Sequence, residues 1–308
     1  MCRLAGRIQV TALLVALLSA ACSERPSEYT PTAATAPSTD IFLGTLLLDG
    51  DRIEVSELIN ITDRAGYDNQ PHFAGHGTAL LYTSARDSRQ TDIYRYDIET
   101  GTVTQVTHTP TASEYSPTVM PGGALFSSIR EEAGRQGLWQ YEMDGSEGGG
   151  VLDHVQPVGY HAWVDPHSVA VFVLGDSIAP STLQLADLRS GATSIVAENV
   201  GRSLHRIPGQ RKISFVHKPS DDEWLIKAVD VDTRSVTTIT PTLPGSEDYA
   251  WLSANTIIMG SESALYRWVE GGQWETVSDL AEFGVRGISR VAVSVAGGRI
   301  AVVGERGE

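Results

Sequence analysis

The sequence predicts an all-β fold, a six-bladed β-propeller in which N-terminal strands complete the C-terminal blade. Three observations predict it: a unit of four short strands, its recurrence about every 45 residues, and a last copy lacking two strands that stand at the other end of the chain.

The unit is clearest at 69–107, NQPHFAGHGTALLYTS, then a polar loop, then DIYRYDIETGTVTQVT. Short runs rich in Val, Ile, Thr and Tyr place strands at 71–74, 79–83, 93–98 and 102–107, with turn residues between them. Four such strands in antiparallel order make one blade.

Aligned on the lead-in to the first strand, the chain reads NQPHF, YSPTV, YHAWV, SLHRI, DYAWL and SRVAV, with Pro71, Pro117, Ala162, His205, Ala250 and Val291 in equivalent places. The intervals are 46, 45, 43, 45 and 41 residues. Third strands recur as IYRYDI, LWQYEM, LQLADL, WLIKAV and LYRWVE; fourth strands recur as TVTQVT, GGVLDH (149–154), TSIVAE, SVTTIT and WETVSD. The sixth copy stops after two strands, whereas IFLGTL (41–46) reads as a third strand and RIEVSELINIT (52–62) as a fourth. Pairing these with the last two strands closes the ring and leaves no open radial edge.

Residues 1–21 read as a secretory signal: Arg3 and Arg7 precede an apolar run that ends in Ser19-Ala20-Ala21. The junction LLSAAC is similar to a bacterial lipobox, which makes Cys22 the expected lipidation site, and Ser23 after it implies passage to the outer membrane. No cysteine follows Cys22, so an exported body has no internal disulfide and relies on its core. Residues 22–40 (CSERPSEYTPTAATAPSTD) are too poor in apolar groups to pack and read as a tether; the propeller is expected over 41–308. The expected location is therefore the periplasmic face of the outer membrane, with a lipid as the membrane contact.

The formal net charge of −15 falls to about −17 without Arg3 and Arg7. That acidity argues against nucleic-acid binding, which needs a basic track for phosphates. No nucleophile elbow, H-E-x-x-H, phosphate loop or cysteine pair is present. Asp230-Val231-Asp232 lacks the later Gly and Glu of a calcium loop and reads as a turn.

The unit NQPHFAGHGTALLYTS…DIYRYDIETGTVTQVT resembles the TolB-type (WD40-like) propeller repeat, whose first two strands typically run Pro-x-Phe-Ser-Pro-Asp-Gly, apolar strand, Ser. Pro71-His72-Phe73 and Tyr82-Thr83-Ser84 carry the match, while the turn varies in every copy (AGHG, MPGG, DPHS, PGQR, SANT, SVAG). The resemblance covers 41–306 and implies a propeller, here a stand-alone lipoprotein. Propellers of this type dock partners, accompany peptidases and occasionally catalyse, so function must come from a site.

First strands of a propeller line its channel, and equivalent positions face one another. The segments leading into them hold Asn69, Gln70, Glu114, Tyr115, Tyr160, His161, Arg202, His205, Asp248, Tyr249 and Arg290, the expected ligand-binding set. Within it, Asn69, Glu114, His161 and Asp248 offer oxygen and nitrogen ligands for a divalent cation on the axis. Arg202 and Arg290 suit a carboxylate or phosphate whose apolar part Tyr115, Tyr160 and Tyr249 would pack. The bland alternative is that these residues only hydrate the channel and pin the blades. The expected function is non-catalytic: a monomeric envelope scaffold binding a protein, peptide or small ligand at the channel mouth or rim. The alternative is a metal-dependent hydrolase or lactonase at the same mouth.

Overall fold

The computed structural model describes residues 38–50, 52–86 and 90–305. The expected signal, Cys22 and most of the expected tether lie outside these residues.

Five blades follow one another along the chain, at 67–105, 112–150, 158–198, 200–241 and 249–279. The sixth is assembled from both ends in the order Arg290–Ser294, Arg299–Glu305, Thr39–Asp49, Arg52–Asn60. Thr39 to Thr45 pair antiparallel with Glu305 to Arg299, and Phe42 to Asp49 pair with Asn60 to Arg52. A single parallel pair, Thr39 with Tyr67, joins this blade to the first. N-terminal closure of the last blade is thus present as expected.

The propeller strand begins two residues before the expected boundary. Thr39 and Asp40 are buried because Thr39 donates to the Asp68 carbonyl (2.9 Å), while Asp40 accepts from Asn60 Nδ2 (2.9 Å) and Thr62 Oγ1 (3.2 Å). The first strand of blade 1 starts at Tyr67 rather than Pro71, since a bulge between Asn69 and His72 lets pairing resume before the proline. The fourth strand of blade 2 is Glu147–Gly150, not 149–154; three consecutive glycines there carry no side-chain alternation to mark a register.

Burial explains the strand compositions. The second strand of blade 1, Ala79–Ala85, is buried at every position because both of its faces meet neighbouring blades. The outermost strand of blade 4, Val236–Pro241, is mostly exposed. Apolar side chains form six clusters among the described residues, one in each cleft between adjacent blades. Each large side chain so buried contributes about 1.5–3 kcal/mol, and because every cluster draws on two blades, no blade holds a core of its own.

Three hairpins repeat one turn. In each, an aspartate side chain accepts backbone N–H groups two or three residues on: Asp97 from Thr100, Asp187 from Arg189 and Ser190, and Asp230 from Asp232 and Thr233 (2.8–3.1 Å). The turn closes on a left-handed residue, Gly101 (φ 69°), Gly191 (φ 70°) and Arg234 (φ 63°). Asp230-Val231-Asp232 is therefore turn architecture, as read from the sequence.

Candidate functional site

The six innermost strands bring the leading segments of all blades to the channel. One polar network crosses it there, centred on Arg290 of blade 6. Its Nη1 donates to Asp248 Oδ1 of blade 5 (2.6 Å), its Nη2 to the Tyr160 hydroxyl of blade 3 (2.9 Å), and its Nε to Asn69 Oδ1 of blade 1 (3.4 Å). Blades 3 and 6 stand opposite each other in a six-blade ring, so the Arg290–Tyr160 bond spans the channel. Arg202 of blade 4 donates to the other Asp248 oxygen from Nη2 (2.5 Å) and Nε (3.1 Å). Its Nε also lies 3.0 Å from Glu247, which pairs in turn with Lys218. Gln70 brings in blade 2: its Oε1 accepts from Thr83 Oγ1 and the Ser116 backbone N–H, both at 2.8 Å. Left-handed backbone at Gln70 (φ 57°) and Ser116 (φ 53°), each before a proline, makes that bridge possible.

The electrostatics follow from these contacts. Burial by itself would raise the Asp248 pKa, but Arg290 and Arg202 override it and hold the carboxyl below its ordinary value. Burial likewise opposes the charge on Arg290, yet Asp248 keeps its pKa above the usual arginine range. Burial lowers three imidazoles, His72 to about 4, His161 to about 3 and His205 to about 4, so all are neutral at pH 7. Tyr67, beside this network, has its pKa pushed up by burial.

A cavity of about 390 Å³ begins at Arg202, Asp248 and Arg290 and runs to the far ends of the innermost strands, where Pro121 and Arg206 form its lip. All six blades line it. Eight members of the expected set border it: Gln70, Tyr160, His161, Arg202, His205, Asp248, Tyr249 and Arg290. The arginine network crosses the channel at the leading segments, and exposed Arg206 lies at the far end of its strand.

Three members are placed otherwise. Asn69 is buried behind Arg290, and Tyr115 packs against the cluster between blades 2 and 3. Glu114 points out of the channel into the cleft between blades 1 and 2. There it accepts from Thr109 (2.6 Å) and Thr107 (3.2 Å), and burial raises its pKa to about 7. The cation set of Asn69, Glu114, His161 and Asp248 is therefore not assembled: Glu114 faces another space, His161 bonds Ser127, and Asp248 is held by two arginines. Among the described residues no three His, Cys, Asp or Glu gather as metal ligands. The carboxylate position between Arg202 and Arg290 is filled by Asp248, and Tyr249 donates its hydroxyl to Ser214 (2.8 Å).

Sequence reasoning overlooked two serines that organise the walls. Ser127 accepts from Trp163 Nε1 (2.8 Å) and bonds His161 Nε2 (2.6 Å); Ser214 accepts from Trp251 Nε1 and Tyr249, both at 2.8 Å. Each serine lies on the second strand of the preceding blade, 36 and 37 residues before its tryptophan. That recurring interval was the available signal. Both tryptophans are buried between blades.

No family model matches the chain, and no curated protein matches it. Solved structures do. A chain provisionally assigned as TolB from Agrobacterium tumefaciens aligns at a TM-score of 0.68 and 18% identity, covering 89% of this chain and 100% of that one. The fold is a TolB-like β-propeller. TolB from Acinetobacter baumannii aligns at 0.58 and 14% identity over 90% of this chain and 65% of its own. A chain of the nidogen/laminin complex aligns at 0.64 and 10% identity, covering 84% and 99%. At these identities the likeness establishes the TolB-like fold, and the channel residues must speak for the function.

Proposed function

We propose that this TolB-like propeller is a non-catalytic envelope protein that binds a protein, peptide or small ligand in its central channel. The observation that carries this reading is the cavity of about 390 Å³, to which all six blades contribute convergent polar groups and apolar walls. Its size falls in the range of about 300–1,000 Å³ common to ligand sites. In the same proposal, residues 1–21 direct export, Cys22 carries the lipid, and residues 22–40, up to the strand that starts at Thr39, tether a monomeric body to the outer membrane on its periplasmic side. The TolB likeness is compatible with a protein-binding scaffold. The hydrolase or lactonase alternative has no supporting geometry, since its proposed ligands point into different spaces.

The test is site-specific photocrosslinking in intact cells. Benzoylphenylalanine at Pro121, on the cavity lip, is compared with the same group at Ile195, an exposed position on the outer strand of blade 3. Adducts from Pro121 alone support channel binding. Adducts confined to Ile195 refute it.

A further inference from the structure

The channel has the opposite electrostatic sign from the protein around it. The chain as a whole carries −15, yet the charged residues lining the cavity are three arginines, Arg202, Arg206 and Arg290, and one carboxylate, Asp248. The remaining lining is neutral at pH 7, because burial keeps His72, His161 and His205 uncharged. At the floor, Arg202, Arg290 and Lys218 face Asp248 and Glu247, so three cations meet two carboxylates and one positive charge is uncompensated. At the lip, exposed Arg206 donates to the Gln210 carbonyl (3.3 Å) and forms no ion pair among the described residues. An anion therefore meets one uncompensated positive charge at the floor, where screening is weaker than in water, and a second, solvent-exposed one at the lip, and a cation meets the same field as repulsion.

Shape selects how such an anion enters. The innermost strands of all six blades surround the cavity, and the Arg290–Tyr160 bond crosses it, so a chain entering past Arg206 meets that bond end first. The floor also displays what it grips: Arg202 and Arg290 hold the Asp248 carboxylate from both sides. Neutral donors stand along the way. The His72 side chain makes no hydrogen bond with another described residue, and the Gln70 amide nitrogen is left over once its oxygen has bridged blades 1 and 2. Pro71, Pro117, Ala162, Leu204 and Val291 supply apolar wall between them.

We infer that the channel cavity receives the C-terminal carboxylate of a peptide, with Arg206 guiding it at the lip and the net positive charge of the Arg202–Asp248–Arg290 group, whose own clamp is filled by Asp248, attracting it toward the floor. This deepens the channel-binding reading and rests on it.

The experiment uses the full chain in detergent and two pools of random N-acetylated hexapeptides, one of free acids and one of C-terminal amides. Retained peptides are identified by mass spectrometry after affinity selection. The expected result is retention of free acids at least tenfold above amides. That preference falls severalfold in Arg206→Gln, a change at an exposed side chain that the fold tolerates, and falls again in 0.5 M salt. Asp248→Asn removes a competing carboxylate and raises retention of acids. Equal retention of acids and amides overturns the carboxylate assignment, as does selective binding of inorganic phosphate without the acid pool. If neither pool is retained while the Pro121 crosslinker still captures a component, the chain-end assignment falls and channel binding stands. If the crosslinker also captures nothing, both fall.

Discussion

Replacing Glu114 with glutamine isolates a buried carboxyl whose effect on stability has a definite sign. Glu114 is fully buried, bonded to Thr107 and Thr109, and has its pKa raised from 4.5 to about 7, chiefly by burial. A carboxyl with a raised pKa stabilises the fold while protonated. Between pH 4.5 and about 7 the native state keeps a proton that the unfolded chain has released, so stability falls as pH rises through that window. A rise from 4.5 to about 7 corresponds to about 3 kcal/mol, lost in full by pH 8. Glutamine keeps the shape and an acceptor oxygen for Thr109 without a group to ionise. The assay is urea unfolding of both proteins from pH 4.5 to 8, with their difference plotted against pH so that every other titrating group cancels. The variant should gain about 3 kcal/mol on the parent across the window, or roughly 6–12 °C in Tm at pH 8 for a domain of this size. A pH-independent difference, or one of opposite sign, would refute the burial argument.

Other expectations follow from the same contacts. Arg290→Gln severs bonds to Asp248, Tyr160 and Asn69 and should cost about 3–5 kcal/mol in thermal unfolding; a loss below about 1 kcal/mol would mean the network holds nothing together. Arg234→Gly should stabilise by up to about 1 kcal/mol, because glycine already occupies the matching left-handed position at Gly101 and Gly191; a destabilised variant would contradict the strain argument. His72, His161 and His205 have depressed pKa values, so the stability they contribute is full above pH 6.5 and is lost as pH falls toward 4. Their ring resonances should keep neutral-form shifts at pH 6, and a protonated ring there would contradict the burial assignment. Cys22→Ser should release the chain from membranes into the soluble fraction on cell fractionation, and a variant that stays membrane-bound would remove the lipid anchor from the proposal.

Much of this fold was legible because its determinants are local. First-strand lead-ins, apolar second strands and Val/Thr/Tyr-rich third and fourth strands recur at one period, and the incomplete sixth copy pointed directly to 41–62. What escaped depended on register and reach. A left-handed residue at Ser116 shifts pairing between Tyr115 and Thr118, and such a slip decides which face a neighbouring side chain occupies; Glu114 consequently faces blade 1 instead of the axis. Arg202, Asp248 and Arg290 were recognisable as channel residues from spacing alone. Their mutual pairing was not, because it depends on side chains meeting across blades 42 and 46 residues apart. The Glu147–Gly150 strand was misplaced for want of side chains to read.

Closure by Thr39–Thr45 against Arg299–Glu305 sets a clock on biogenesis. The earliest strand of the ring is made first and its partner last, 266 residues later by sequence. At about 5–20 residues per second, that strand waits roughly 13–53 s before its partner exists. Throughout the wait, Ile41 and Leu43 have Leu80, Tyr82 and Tyr94 of blade 1 on one side but lack Ala301 and Val303, which complete their cluster. The same arithmetic makes the last strand a checkpoint on the whole chain. A product cut short of Arg299 lacks the strand that pairs with Thr39–Thr45 and leaves Ile41 and Leu43 without Ala301 and Val303.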